Sequence, residues 1–179
     1  MESNITYKGE ACELCEDFID VGYMAENISV KDNNDTVVEI KRSHEDKAMT
    51  LFISFPSMDE EFLKEMLKID HVLNEIEVPI HCYFILNDKY ENFELLSSKL
   101  KKFTIVYDYD AEFGNMYGTK IVSGSLKDKL TKALFLISKD GAIFFLDMQE
   151  DISDTFDLVK VKVELNKAYA SYTGTGCHG

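Results

Sequence analysis

A chain of 179 residues, 45% hydrophobic and 12% aromatic, is long enough to bury a full core as one domain and too apolar to stay disordered. Its formal charge of −14 makes nucleic acid and anionic membrane surfaces poor partners, and no apolar run approaches the ~18 residues that a spanning helix needs. Cysteines at 12, 15, 82 and 177 are too few for a disulfide framework, and M-E-S-N-I-T-Y-K has no basic segment leading into an apolar run, so a cytoplasmic protein is expected.

In chain order, Thr6 to Val21 reads as a hairpin, with Ile5 and Tyr7 on one arm and Phe18, Ile19 and Val21 on the other. Two short strands are expected at Ile28 to Val30 and Thr36 to Ile40, separated by the turn-forming K-D-N-N-D. These leading elements occupy residues 1–48. The run Leu51, Phe52, Ile53, Phe55, closed by Pro56, is a buried strand. Asp59 stands at an N-cap position, Glu60 and Glu61 fall in the first turn, and Phe62, Met66, Ile69, Leu73 and Ile76 recur at helical spacing, with Leu63, Leu67 and Val72 widening the stripe.

Val78 to Leu86 is a second buried strand, Tyr90 to Lys101 a helix, and Phe103 to Tyr107 a third strand. After the loop F-G-N-M-Y-G, Ala133 to Ile137 and Ala142 to Leu146 flank S-K-D-G, a hairpin turn signal. Thr155 to Tyr169 closes the chain as a helix, and residues 174–179 are expected to form a flexible tail. The alternation of strands and helices implies one α/β domain: a thioredoxin-like sandwich in which helices flank a central mixed sheet, preceded by the amino-terminal hairpin.

Cys12-Glu-Leu-Cys15 is the only C-x-x-C. Its placement, expected at a hairpin tip, lacks the helix dipole that lowers a redox thiol's pKa. Three readings stay open: a metal site, a reversible disulfide, or ordinary thiols. Cys177 and His178 would complete a set suited to zinc. No other cofactor is implied. Cys82 lies within an apolar strand and reads as a small core residue. His44, His71 and His81 are scattered and read as surface or satisfied polar residues.

P-S-M-D-E-E-F-L at Pro56 to Leu63 resembles the P-S-(Leu)-D-T-P-V-C motif of bacterial thiol peroxidases, the atypical two-cysteine peroxiredoxins. T-Y-K-G at Thr6 to Gly9, V-G at Val21 to Gly22, D-N-N at Asp32 to Asn34, F-G-x-x-Y-G at Phe113 to Gly118 and K-A-L-F-L-I at Lys132 to Ile137 follow in that family's order, so the resemblance covers nearly the whole chain. It implies the same thioredoxin-like fold with a hairpin and strand pair in front, thioredoxin as reductant, and a homodimer or a pairing with an active paralogue.

The chemistry that the resemblance implies is altered at four positions. Leu63 stands where the family has its peroxidatic cysteine, Glu60 where it has threonine, Glu61 where it has the loop proline, and Lys132 where it has arginine. The family's resolving cysteine aligns near Leu95 or Leu96. A carboxylate at Glu60 opposes a thiolate, and lysine lacks the planar donor fork of arginine. With the fold kept, Glu60 and Lys132 are expected to meet and pair in the former peroxide pocket bounded by Pro56, Asp59 and Leu63. The reading is a thiol-peroxidase-like domain that has lost its peroxidatic centre and acts as a binding or regulatory pseudoenzyme. The alternatives are a thiol-dependent peroxidase or oxidoreductase using Cys12 and Cys15, and a zinc-stabilised module on Cys12, Cys15, Cys177 and His178.

Overall fold

A computed structural model describes residues 5–15 and 19–171. The sheet is built outwards from β5 (Met49–Ser54), in which every residue is buried. β5 runs parallel to β6 (Ile80–Leu86) on one side and antiparallel to β8 (Ala133–Ile137) on the other. With β3 (Ile28–Lys31), β4 (Val37–Ile40), β7 (Phe103–Tyr107) and β9 (Ile143–Met148), the seven strands lie in the order β4-β3-β7-β6-β5-β8-β9.

Strand alternation divides the core into two layers. Met49, Leu51, Ile53, Phe84, Ile105 and Leu134 face one side, where α1 (Glu60–Leu73), α2 (Phe93–Lys99) and α4 (Leu158–Ser171) contribute Phe62, Met66, Phe93, Val161 and Leu165. Phe52, Ile85, Val106 and Phe135 face the other side, covered by Phe113 and Tyr117 at the short α3 (Glu112–Met116). Such a mixed sheet with helices on its faces is the α/β sandwich that the order of elements implies.

The F-G-N-M-Y-G stretch has a packing reason. Asp108 accepts the backbone N–H groups of Phe113 and Gly114, both at 2.8 Å, and so starts α3. A Cβ on Gly114 would lie 3.1 Å from Leu130 and 3.2 Å from Lys120 Cβ, so glycine lets the two segments approach. Phe113 and Tyr117 then stack with ring centroids 4.7 Å apart.

Several elements differ from their expected bounds. The amino-terminal hairpin is short, β1 (Ile5–Tyr7) pairing with β2 (Glu10–Cys12), and its turn is Lys8-Gly9, where both residues take positive φ. Cys12 is therefore on the second strand and buried, not at a tip. Phe18, placed on the second arm by its apolar character, lies outside the described residues, and Val21 is exposed. α2 is shorter than Tyr90 to Lys101. α4 begins at Leu158, later than Thr155, and the Phe156 N–H ahead of it is given to Glu65 across the core. α3 falls inside a stretch read as loop.

α1 buries two carboxylates on its apolar face, Glu65 and Asp70. Asp70 accepts the N–H groups of Lys101, Lys102 and Phe103 at 3.0, 2.9 and 2.9 Å, and thereby fixes where β7 begins. Asp70→Ala leaves these donors without their acceptor and is expected to destabilise the fold by about 3 kcal/mol, measured as a lower urea midpoint with an unchanged slope.

Candidate functional site

The position that the thiol-peroxidase resemblance singles out is where β5 ends, α1 begins and β8 starts. Pro56 is buried, and its carbonyl accepts from the Tyr90 hydroxyl at 3.4 Å. Asp59 occupies the N-cap of α1 but makes no side-chain cap; its backbone carbonyl accepts the Phe62 and Leu63 N–H groups, both at 2.9 Å. Leu63 sits in the first turn, half-buried and packed on the layer that holds Phe62 and Phe156. Its side chain offers carbon where nucleophilic chemistry needs a thiol.

Glu60 and Lys132 do not meet. Glu60 is exposed and pairs with Lys64 one turn along the helix at 3.1 Å, a surface contact of small energetic weight. Lys132 is 1% exposed and donates instead to the Glu65 carboxylate and to the Asp154 carbonyl. The second Glu65 oxygen accepts the Phe156 N–H at 3.1 Å. Around the ammonium lie the rings of Phe156, Phe55 and Phe62, with centroids 5.2, 5.8 and 6.0 Å away. The cation is thus satisfied on every side by α1, by the segment before α4 and by aromatic faces.

Glu61 is the second site residue whose partner the sequence did not name. It accepts the Tyr7 hydroxyl at 2.7 Å, pinning β1 over the start of α1. Burial, followed by the Glu61 carboxylate, pushes the Tyr7 phenol up to about 12, so it remains a donor at neutral pH. Glu65 could have been found from the sequence: it lies three residues after Phe62 and four before Ile69, on the apolar stripe. A charge there needs a buried partner, and Lys132 opens an apolar strand.

The described cysteines are on β2, in the loop after it and on β6, and none is in the first turn of α1. Burial, with Glu10 adding to it, raises the Cys12 thiol, and burial pushes Cys82 up to about 12. Both remain protonated and poorly nucleophilic. Cys15 donates its thiol to the Gly114 carbonyl at 3.4 Å, while its N–H goes to the Lys120 carbonyl at 2.9 Å, so it anchors the amino-terminal segment to the α3 loop. Among the described residues no three His, Cys, Asp or Glu side chains are placed to hold a metal. Cys177 and His178 lie outside the described residues, as does the tail 174–179. Leu95 is exposed and Leu96 buried on α2.

No protein-family model matches the chain. Thiol peroxidase of Campylobacter jejuni is 24% identical over 188 residues, spanning 98% of this chain and 99% of that protein. A peroxiredoxin-like protein from Aquifex aeolicus superposes with a TM-score of 0.84 at 18% identity, covering 93% of this chain and 97% of its own. Thiol peroxidase from Chromobacterium violaceum superposes with a TM-score of 0.81, also at 18% identity, over 93% and 98%. The fold is that of the peroxiredoxins. Sequence similarity to a thiol peroxidase runs over the same full length, so the peroxiredoxin-like fold and the thiol-peroxidase likeness rest on separate observations. Among the described residues no helix is long and apolar enough to cross a membrane.

Lys132→Met leaves the Glu65 carboxylate buried without its cation and is expected to cost about 3–5 kcal/mol of stability. The double change Lys132→Met with Glu65→Leu removes both charges and is expected to recover most of that loss. A double-mutant cycle by chemical denaturation checks both values.

Proposed function

We propose that this peroxiredoxin-like protein does not reduce peroxide at the family position and acts instead as a binding or regulatory pseudoenzyme. The observation that carries the reading is the commitment of Lys132. A peroxide-reducing site of this family needs a cation free to favour a thiolate and a bound peroxide, whereas this ammonium is spent on Glu65 and the Asp154 carbonyl. Leu63 supports the same reading, since it presents no thiol in the first turn of α1.

A redox role for Cys12 and Cys15 is not favoured. Cys12 is buried with a raised pKa, and the Cys15 thiol is turned to the Gly114 carbonyl. A zinc-holding set that adds Cys177 and His178 is tested separately by metal content per chain, with about one equivalent supporting it and none removing it.

Purified protein is expected to give no thioredoxin-dependent peroxide consumption above a protein-free control. Leu63→Cys alone is expected to stay inactive, because Glu60 opposes the thiolate, and to cost about 1 kcal/mol for the shortened, half-buried side chain. The triple change Leu63→Cys, Glu60→Thr, Lys132→Arg is the better rescue. Robust turnover by the unmodified protein, or full activity in Leu63→Cys alone, overturns the reading.

A regulatory role in this family is most simply exerted by pairing. Thiol peroxidases pair through a face close to the active-site loops, so by resemblance a homodimer, or a mixed dimer with an active paralogue, is the proposed assembly, with thioredoxin as a further candidate contact. Light scattering is expected to give twice the chain mass of 20.5 kDa. A monodisperse monomer at high concentration removes self-pairing.

A further inference from the structure

We propose that His44 and His81 form an acid-sensitive latch, which holds the loop of residues 41–48 closed over the amino-terminal ends of β5 and β6 at neutral pH and releases it on acidification. The sequence places these histidines far apart, and the fold makes them neighbours. Thr50 and His81 are register partners in the parallel β5–β6 pair, so both lie at the end of the sheet opposite Pro56 and Leu63. His44 reaches back from the loop to the fully buried Thr50, Nε2 to Oγ1 at 2.7 Å. Its ring lies 4.5 Å from that of His81, centroid to centroid.

The second tie of the loop is Asp46. Its carboxylate meets His81 Nε2 at 2.9 Å and accepts the Ala48 N–H at 3.0 Å. Lys47 takes a positive φ of 61° and gives its N–H to the His44 carbonyl at 3.1 Å, so the loop is a tight turn held by side chains from the two strands beneath it. The loop, the end of β4 and β6 enclose a cleft of about 440 Å³.

The charges around the two rings decide the direction of the response. Glu45 and Asp46 face them from the loop, Glu39 and Lys41 from the end of β4, and Tyr83 from β6. Of these five groups only Asp46 makes a hydrogen bond to an imidazole, that of His81. A proton on His44 therefore has no carboxylate in contact, sits in a half-buried place beside Thr50 and faces a second imidazole. Burial, and then the charge of His81, outweigh the opposite pull of the Asp46 carboxylate and hold the His44 imidazole below its ordinary range. With the folded value below the ordinary one of about 6.5, the closed loop is fully favoured above that pH. It loses stability as the pH falls below it, because the released loop binds the proton more readily. The latch is independent of the peroxidase reading, since it uses no residue of the Leu63 and Lys132 site.

Hydrogen exchange of the full-length protein at about pH 7.5 and about pH 5, corrected for the intrinsic rate, tests the latch. The expected result is a loss of protection on the order of ten-fold in residues 43–49, with β8 and α1 unchanged. His44→Gln keeps a hydrogen-bonding group for Thr50 but cannot titrate, and its loop protection is expected to be the same at both pH values. Unchanged protection in the natural protein, or an equal acid loss in His44→Gln, overturns the proposal. Imidazole NMR titration of the unaltered protein gives a second reading that needs no variant. Protonation of His44 that tracks the shift of the Ala48 amide supports the latch, and protonation with no change at Ala48 overturns it.

Discussion

Two charges with almost no solvent contact, Lys132 and Glu65, set the geometry on which this molecule depends. Burying an ion pair costs each partner its hydration, and the attraction between them offsets that cost only when the remaining donors and acceptors also find partners. Here they do: the Asp154 carbonyl accepts a second hydrogen bond from Lys132, and the Phe156 N–H donates to the second Glu65 oxygen. The result joins three segments far apart in sequence, the first turns of α1, the start of β8 and the approach to α4. It also ties the segment just ahead of α4 to α1, since the Phe156 N–H, two residues before the helix begins, is given to Glu65.

The same pair alters what the adjoining helix terminus can do. The start of an α-helix carries unpaired N–H groups and a partial positive charge, which in a thiol peroxidase serves a thiolate. In this chain Asp59, Glu60 and Glu61 already crowd that end with negative charge. Tyr7 covers Glu61 and brings β1 across the helix start. A cation closed off by Glu65, carboxylates at the helix start and a leucine in its first turn are mutually consistent.

Around this arrangement the fold is conventional. β5 lies inside the sheet between β6 and β8 with buried residues on both faces, so its side chains serve two core layers, and α1 and α2 each connect a pair of parallel strands. That scaffold matches peroxiredoxin-like structures at 18% identity. The alternation of buried positions and the helical stripe need only apolar character, which survives extensive substitution.

Periodicity and turn chemistry determined much of this in advance. The strand before Pro56, the helix after Asp59, the S-K-D-G hairpin and the mixed α/β class follow from local spacing, because a one-sided apolar pattern leaves few ways to be buried. Leu63 at the head of α1 was likewise legible, since the P-S-M-D segment fixes its place in the helix. Partner choice was not. The resemblance brings Glu60 and Lys132 to one pocket, yet Glu60 points to solvent and Lys132 pairs with Glu65 on the apolar stripe of α1, because the docking of the helix on the sheet decides which strand its inward carboxylate meets. Spacing points to a hairpin tip for Cys12, whereas the Lys8-Gly9 turn shortens the hairpin and carries it onto a buried strand. His44 and His81 became neighbours only when β5 and β6 paired in register. Spacing along a chain specifies which face a residue occupies on its own element, while contacts between elements depend on register, rotation and crossing, and those are settled only when the whole core packs.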